Sequence, residues 1–306
     1  MSTRLTRRGA LAGVASIAAA GRVRAADPLR VASKIDTEGA LLGSLILAAL
    51  AQHGVPTEDK LQLGPTRIVR EALLSGAIDL YPEYTGNGAF FFHQETDPVW
   101  KDQDAGWRRV RDLDLKQNDV VWLPCAPANN SWAIAVRQDV AMPNKLATMQ
   151  DFARWVNGGG GVKLAASAEF VESPAALPAF EAAYGFHLRE GQIVTLAGGN
   201  TAATLRAAAE RTSGVNAAMA YGTDGALSAL ALLLMSDDKH AEPIYAPAPV
   251  VRGNVLDTYP AIGAALAPIF AALDETTLQR LNGKIAVDGE EPKAVAAAFL
   301  ATLAHG

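Results

Sequence analysis

The sequence has few of the residues from which metal centres and nucleophilic active sites are built. It contains one cysteine, Cys125, so no intrachain disulfide can form, and we interpret this residue as a buried, inert thiol. A GxSxG motif is missing. None of the five histidines stands at ligand spacing from another histidine, a cysteine or a carboxylate; they are His53, His93, His187, His240 and His305. We therefore expect no metal site, no cofactor and no catalytic residues.

A large excess of one charge is also missing. The chain carries 27 Lys and Arg against 32 Asp and Glu, a formal net charge of −5. Nucleic-acid-binding proteins usually carry a basic patch, so this balance argues against a DNA or RNA partner. Half of the 306 residues are hydrophobic, which is enough for one large core or two medium ones. After the N-terminus no segment reaches the roughly 18 uninterrupted apolar residues of a membrane helix.

The N-terminus has the layout of a bacterial export signal, which we assign to residues 1–25. Paired Arg7 and Arg8 precede an apolar run of small residues, Gly9–Ala20, and a small-x-small cleavage site follows at Val23–Ala25. The apolar run is about 12 residues long, too short to span a bilayer stably. We expect a twin-arginine-like signal that is cleaved on export to the periplasm; the alternative is a disordered basic tail.

The first part of the exported chain alternates between strand and helix patterns. The predicted elements are a strand at 29–33, a helix at 37–53, a strand at 61–64, a helix at 65–75 and a strand at 78–81. This order is typical of a parallel sheet with crossover helices. The stretch DLYPEYTGNG, Asp79–Gly88, is interpreted as a loop at a strand end, where binding groups usually lie.

Two proline-rich segments divide the chain into two α/β lobes. The stretch VWLPCAPANN breaks regular structure before a strand restarts at Trp132, and EPIYAPAPVVRG interrupts it again before a mostly helical C-terminal part. We predict a first lobe formed by residues 26–129 and 241–306 and a second lobe formed by residues 130–240. Two crossings between the lobes imply a hinge with a cleft between them.

Aromatic residues make up only 7% of the chain, yet several stand at predicted strand ends or crossings. They are Tyr81, Tyr84, Trp132, Tyr221 and Tyr245. Aromatic faces attract weakly hydrated cations, and a quaternary ammonium group is recognised best in this way. Rings supplied from both sides of a hinge would bind such a cation and close around it. The alternative is that each ring is an ordinary core or rim aromatic.

Four segments resemble one known family: KIDTEGALLGSLILAALAQHG, LGPTRIVREALLSGAIDLYPEYTGNG, AYGTDG and DDKHAEPIYAPAPVVR. They are similar to the substrate-binding proteins of osmoprotectant ABC importers of the ProX/OpuC type, which bind glycine betaine, carnitine and choline. The resemblance runs from about Val31 to Leu303 and is most specific in the YPEYTG block. It implies a two-lobed, type II periplasmic-binding-protein fold that closes on its ligand. It also implies a permease partner in the inner membrane, and we expect a monomer.

In this family an aromatic box holds the trimethylammonium group. The resemblance maps the box onto Tyr84 and Tyr245 from the first lobe and onto Trp132 and Tyr221 from the second. Trp132 stands where the family usually has tyrosine. Tyr81 is expected to pack behind the loop.

The carboxylate end of the predicted site departs from the family pattern. The family arginine of an EFxxRxDG motif falls on Ser173 in EFVESPAAL, and the threonine after YPEYTG is replaced by Asn87. Lys34 remains as a cation that can meet an anion. An arginine fork gives a carboxylate two charge-assisted hydrogen bonds. The ligand therefore lacks a carboxylate, as choline does, or carries it elsewhere, or glycine betaine binds weakly.

We expect a binding protein without enzymatic activity. The competing functions are a ligand-sensing receptor of the same fold that serves a signalling partner and, less favoured, a periplasmic enzyme.

Overall fold

A computed structural model describes residues 27–196 and 201–304, so the predicted export signal, residues 1–25, lies outside the described residues. Within these ranges the chain forms two five-stranded sheets flanked by α-helices. The strands are β1 (Leu29–Lys34), β2 (Thr57–Gly64), β3 (Leu80–Tyr84), β4 (Val120–Trp122), β5 (Trp132–Arg137), β6 (Leu164–Ser167), β7 (Ile193–Leu196), β8 (Ala217–Tyr221), β9 (Leu232–Leu234) and β10 (Pro247–Arg252). The helices are α1 (Thr37–Gln52), α2 (Thr66–Leu74), α3 (Gly88–Phe91), α4 (Gln103–Asn118), α5 (Gln138–Ala141), α6 (Met149–Asn157), α7 (Ala168–Glu172), α8 (Leu177–Tyr184), α9 (Thr201–Ala209), α10 (Gly253–Thr258), α11 (Ala261–Ala271), α12 (Glu275–Ala286) and α13 (Pro292–Leu303).

Each sheet, with the helices packed on it, forms one lobe. The first sheet has the order β2-β1-β3-β10-β4, and the second has the order β7-β6-β8-β5-β9. In the first sheet β1 runs parallel to β2 and β3, while β10 is antiparallel to β3 and β4. In the second sheet β6 is parallel to β7 and β8, while β5 is antiparallel to β8 and β9. The sheets are therefore mixed, and the predicted α/β class with two crossings is confirmed. We name residues 123–131 the first crossing and residues 235–246 the second crossing.

Helix α1 combines a local start signal with tertiary packing. The Asp36 side chain accepts a hydrogen bond from the Gly39 backbone nitrogen at 2.7 Å, which satisfies one of the amides left free at a helix start. Helices α11, α12 and α13 pack against α1. Apolar residues consequently cover most of its circumference instead of a single stripe.

The stretch around Tyr84 corrects one prediction. We expected a loop over Asp79–Gly88, but Leu80–Tyr84 is strand β3, and all five of its residues are buried. Neighbouring strands on both sides impose the extended conformation, with β1 on one side and β10 on the other. Tyr84 is therefore the last residue of a central strand, and the turn begins only at Thr85.

The second proline-rich segment corrects another prediction, because its second half is strand β10. Prolines lack the N–H group that a central strand normally donates. Pro247 and Pro249 lie where the ladder to β4 has already ended, since that ladder pairs Val250–Arg252. There the two prolines act only as hydrogen-bond acceptors. The Pro247 carbonyl oxygen accepts a hydrogen bond from the Ala126 nitrogen at 2.8 Å, and the Pro249 carbonyl oxygen accepts one from the Leu123 nitrogen at 3.0 Å.

The cores lie between sheets and helices in both lobes. The largest fully buried side chains include Trp100, Trp122 and Tyr81 in the first lobe and Phe152 and Phe180 in the second. Among the described residues no single helix is long and apolar enough to cross a membrane. Helices α11 and α12 reach that length and hydropathy only when taken together, and they are bent by 91°.

Candidate aromatic box

Tyr84 is held at the end of β3 by contacts on both its hydroxyl and its ring. The hydroxyl donates a hydrogen bond to Oε1 of Glu38 at 2.8 Å, and the Lys34 Nζ lies 4.5 Å from the ring centroid. Burial raises the pKa of Tyr84 well above its usual value, and the Glu38 charge raises it further. The phenol is therefore neutral and fixed, and one ring face already meets an internal cation.

Tyr245 lies in the second crossing, two residues before β10. Its ring rests on the backbone of Gly86, where an ideal Cβ would lie 2.9 Å from two ring carbons, so a larger residue than glycine would displace it. The Tyr245 backbone is fixed by the first crossing. Its nitrogen donates to Asn129 Oδ1 at 2.9 Å, and its carbonyl accepts from the Asn130 nitrogen at 3.0 Å. Tyr84 and Tyr245 belong to the same apolar cluster of the first lobe.

Trp132 and Tyr221 form a cross-strand pair in the second lobe. They stand directly opposite each other in the antiparallel ladder of β5 and β8. Their rings are stacked at 14°, with centroids 6.5 Å apart. Phe170 of α7 meets Trp132 edge-on, at 86° and 6.1 Å, and fixes its orientation. Two broad aromatic faces are thus held rigidly on this lobe.

Backbone contacts bring the two pairs near each other. The Asn129 side-chain oxygen accepts a hydrogen bond from the Tyr245 nitrogen at 2.9 Å, and a Cβ on Gly222, the residue after Tyr221, would clash with the Asn129 carbonyl oxygen. Tyr221 and Tyr245, one from each lobe, therefore lie in the same region. Burial raises the pKa of Tyr221 to about 12 and also raises the pKa of Tyr245, so both phenols are neutral.

Lys34 and Asn87, predicted to face a ligand carboxylate, both bind Glu83. Glu83 is fully buried, and its Oε1 accepts from Lys34 Nζ at 2.5 Å and from Asn87 Nδ2 at 2.7 Å. The same atom accepts from the Tyr84 nitrogen at 2.7 Å, and Oε2 accepts from the buried Tyr81 hydroxyl at 2.9 Å. The packing predicted for Tyr81 is confirmed. The positive charge of Lys34 is balanced by a carboxylate of the protein itself.

Ser173 ends helix α7. Its hydroxyl accepts from the Ala175 nitrogen at 3.4 Å, and its own nitrogen donates to the Glu169 carbonyl at 2.9 Å. The preceding turn carries Phe170, which contacts Trp132. Ser173 is thus half-buried on the element that supports one wall of the box, and these hydrogen bonds link it to residues of its own turn.

Glu38, which sequence reasoning did not single out, lies next to the predicted box. It accepts hydrogen bonds from Tyr84 and also from Asn130 Nδ2 at 3.2 Å and Asn282 Nδ2 at 2.7 Å. Burial raises its pKa to about 7. The sequence signal for Glu38 was a carboxylate in the first turn of α1. A carboxylate at this position is ordinarily explained by its favourable interaction with the helix dipole.

Glu242, in the second crossing, is a second buried carboxyl. Among the described residues neither of its side-chain oxygens has a hydrogen-bond partner. Burial raises its pKa to about 9; Asp237 adds to the rise and Lys101 opposes it. Glu242 is therefore protonated at neutral pH.

Residues 27–196 and 201–304 contain no group of three or more His, Cys, Asp or Glu side chains that could hold a metal ion. Cys125 is half-buried rather than buried as expected, because it lies in the first crossing. Burial raises the pKa of its thiol, which favours the unreactive protonated form.

Comparison with known proteins gives matches over nearly the whole described chain. A family model for the substrate-binding domain of ABC-type glycine betaine transport systems covers residues 27–302. The chain is 58% identical over 278 residues to the glycine betaine-binding protein YehZ of Escherichia coli (strain K12), with 91% of each chain covered. It is 31% identical over 292 residues to a glycine-betaine-binding protein of Pseudomonas aeruginosa, with 94% of this chain and 91% of that protein covered.

The structural comparison agrees. The apo structure of YehZ from Escherichia coli matches with a TM-score of 0.80 over 90% of this chain and 99% of the other. The predicted two-lobed periplasmic-binding-protein fold is therefore confirmed. Because the family model and both relatives span nearly the whole described chain, the protein belongs to the family of substrate-binding domains of ABC-type glycine betaine transport systems.

Proposed function

We propose that this protein is the periplasmic solute-binding component of an ABC importer and captures a quaternary-ammonium compound by hinge closure. Tyr84 and Tyr245 of the first lobe and Trp132 and Tyr221 of the second would form the box around the cation. The loaded protein would then deliver its ligand to a permease in the inner membrane. We assign it no catalytic step. The stacked Trp132–Tyr221 pair, which lies near Tyr245 of the other lobe, carries this proposal.

The physical basis of capture is the negative electrostatic potential of aromatic faces. A quaternary ammonium has no N–H group to donate, so water solvates it weakly and rings compete well for it. Each desolvated cation–π contact contributes about 2 kcal/mol or more. Because each lobe supplies two rings, the full set of contacts forms only when the lobes close. Ligand binding would therefore stabilise the closed arrangement.

The other end of the ligand would meet a site with little free positive charge. Lys34 is paired with Glu83 at 2.5 Å, and the position of the family arginine is the neutral Ser173. Hydrogen bonds to charged groups contribute roughly 1.5–3 kcal/mol each, so losing an arginine fork weakens a carboxylate contact substantially. We propose that the cation provides most of the affinity. Any carboxylate would be held by Lys34, Asn87 and Ser173 in competition with Glu83.

The remaining parts of the proposal come from the chain outside the box. The paired arginines and apolar run of residues 1–25 support export with a cleaved signal. We propose a first lobe of residues 26–129 and 241–306 and a second lobe of residues 130–240, in which case both changes of lobe fall within the crossings. We propose that the protein works as a monomer, and sedimentation of the exported form tests this directly.

Calorimetric titration of residues 26–306 tests the function. Choline, glycine betaine, carnitine and a larger trimethylated betaine are compared with 3,3-dimethyl-1-butanol, the uncharged isostere of choline. We expect at least one quaternary amine to bind and the isostere to bind far more weakly. If all four cations fail to bind, or the isostere matches choline, the aromatic-box function is wrong.

A further inference from the structure

We propose that Glu38 is a positioning residue that fixes Tyr84 against the hinge and adds negative charge that strengthens binding of the ligand's cation. This inference rests on the proposed function, because it assumes that Tyr84 is a wall of the box. Glu38 contacts the phenol oxygen of Tyr84 and would not itself contact the ligand.

The geometry makes Glu38 a junction between separate parts of the chain. The Tyr84 hydroxyl donates to Oε1 at 2.8 Å, and Asn130 Nδ2, from the first crossing, donates to the same oxygen at 3.2 Å. Asn282 Nδ2, from α12, donates to Oε2 at 2.7 Å. A central strand, the hinge and the C-terminal helical region therefore meet at one carboxyl group that is 6% exposed.

The junction also extends to the second lobe. Asn282 Nδ2 donates to the carbonyl oxygen of Thr223 at 3.0 Å, and Gln279 of the same helix donates to that of Gly222 at 2.7 Å. Both carbonyls belong to the turn that directly follows Tyr221. Through Asn282, Glu38 thus links the first-lobe wall at Tyr84 to the turn that carries a second-lobe wall.

The orientation of the two amides indicates which form of Glu38 the site is built for. Asn130 and Asn282 both turn their nitrogens to Glu38, and among the described residues both of their buried Oδ1 atoms have no hydrogen-bond partner. Leaving a buried acceptor unpaired is unfavourable. Three donors directed at one carboxyl group match the ionised form, which only accepts. The hydrogen bonds therefore favour the charge that burial disfavours.

These opposing effects place the titration of Glu38 near neutral pH. Burial raises its pKa to about 7, Asp36 of the same helix raises it, and the hydrogen bonds lower it. From the other elements, β3 contributes the neutral Tyr84 phenol, and the first crossing and α12 contribute the amides of Asn130 and Asn282. Thr223, in the turn after Tyr221, contributes a hydroxyl. Glu275 of α12 lies beside Gly222, and α11 and α13 pack on α1 through the apolar core. The Lys34–Glu83 pair lies across the Tyr84 ring and is neutral as a whole.

A cation bound on Tyr84 would favour ionised Glu38, so binding and proton release are linked. At an effective dielectric constant of about 20, the attraction between two charges about 6–7 Å apart corresponds to an affinity that is on the order of 50- to 100-fold higher for ionised than for protonated Glu38. We expect affinity to rise by about tenfold from pH 6 to pH 8, because the carboxyl group is already partly ionised at pH 6.

The test measures the dissociation constant of choline, which has no group that titrates in this range, at pH 6, 7 and 8. The wild-type protein should bind about tenfold more tightly at pH 8. The affinity of Glu38→Gln for choline should not change between pH 6 and pH 8, and it should be no higher than that of the wild-type protein at pH 6. Tyr84→Phe keeps the ring and Glu38 but removes a hydrogen bond that lowers the pKa of Glu38, so choline should bind more weakly while its affinity still rises from pH 6 to pH 8. Glu181→Gln, a carboxyl group bonded to His187 and Leu188, should retain the wild-type profile.

A second readout needs no variant. Calorimetry at pH 7 in buffers of different ionisation enthalpy should show release of a fraction of a proton, at most about half, when choline binds. Binding with a flat wild-type profile and no proton release would overturn the role of Glu38 alone, as would a wild-type slope in Glu38→Gln. Failure of choline, glycine betaine, carnitine and the larger betaine to bind at every pH would overturn the proposed function and this inference together.

Discussion

The buried carboxyl group of Glu242 predicts a strong pH dependence of stability. The residue is 3% exposed, and burial raises its pKa from 4.5 to about 9. In the unfolded chain the same group ionises near its ordinary value, so between these two values the folded state binds a proton that the unfolded state has lost. The contribution of Glu242 to stability is therefore complete at low pH and is lost as pH rises through about 9.

Replacing the carboxyl group by an amide removes this dependence. Each pH unit between the two pKa values corresponds to 1.36 kcal/mol, so this group alone lowers the free energy of unfolding by up to about 4 kcal/mol between pH 5 and pH 8. At pH 5 Glu242→Gln should be no more stable than the parent, because both side chains are then neutral and buried. At pH 8 the variant should gain up to about 4 kcal/mol relative to the parent.

Urea unfolding of both proteins at pH 5 and pH 8 measures the difference directly. Glu190→Gln, which alters an exposed carboxyl group, serves as the control and should shift stability equally at both pH values. If the difference in free energy of unfolding between Glu242→Gln and the parent is the same at pH 5 and pH 8, the inference that Glu242 stays protonated in the folded protein is wrong.

Three further substitutions test the box, the carboxylate end and the contact between the lobes. Trp132→Ala should weaken choline binding by about 1–2 kcal/mol in calorimetry, whereas Trp155→Ala, a half-buried tryptophan of the second lobe, should not; equal effects would misplace the box. Ser173→Arg should raise the affinity for glycine betaine relative to choline by roughly 1.5 kcal/mol or more, and an unchanged ratio would show that this position does not face the ligand. Gly225→Ala would place a Cβ 2.0 Å from a backbone nitrogen of α12. It should lower the free energy of unfolding by about 1–3 kcal/mol, while Gly161→Ala, which has open space, should have little effect on the same urea curve.

The sequence by itself determined the elements whose signals are local. Strand β1 and helix α1 lie within one residue of their predicted bounds, because β-propensity and helical periodicity act over a few neighbouring residues. The two crossings were also visible from their proline-rich composition, since proline disfavours regular structure, although the second half of the second segment is strand β10. The YPEYTG block and the flanking segments identified the family, and with it the two-lobed fold. The mapping of the box onto four rings was likewise made before the structure, and it stays a prediction until ligand binding is measured.

Only the tertiary structure decided which segments became central strands. The residues around Tyr84 and the proline-rich stretch before Arg252 have turn-like composition. They are extended because β3 and β10 pair with each other in the middle of a sheet. A strand stabilised by its neighbours does not need strong intrinsic propensity.

Tertiary structure also decided the charge state and partners of the polar groups near the box. The partner of Lys34 is Glu83, 49 residues away, because parallel β1 and β3 bring their carboxyl ends together. The partner of Glu38 on α12 is 244 residues away. Nothing in the local sequence around either residue encodes such a distant contact. Burial, which sets the pKa of Glu38, is a property of the whole packed molecule.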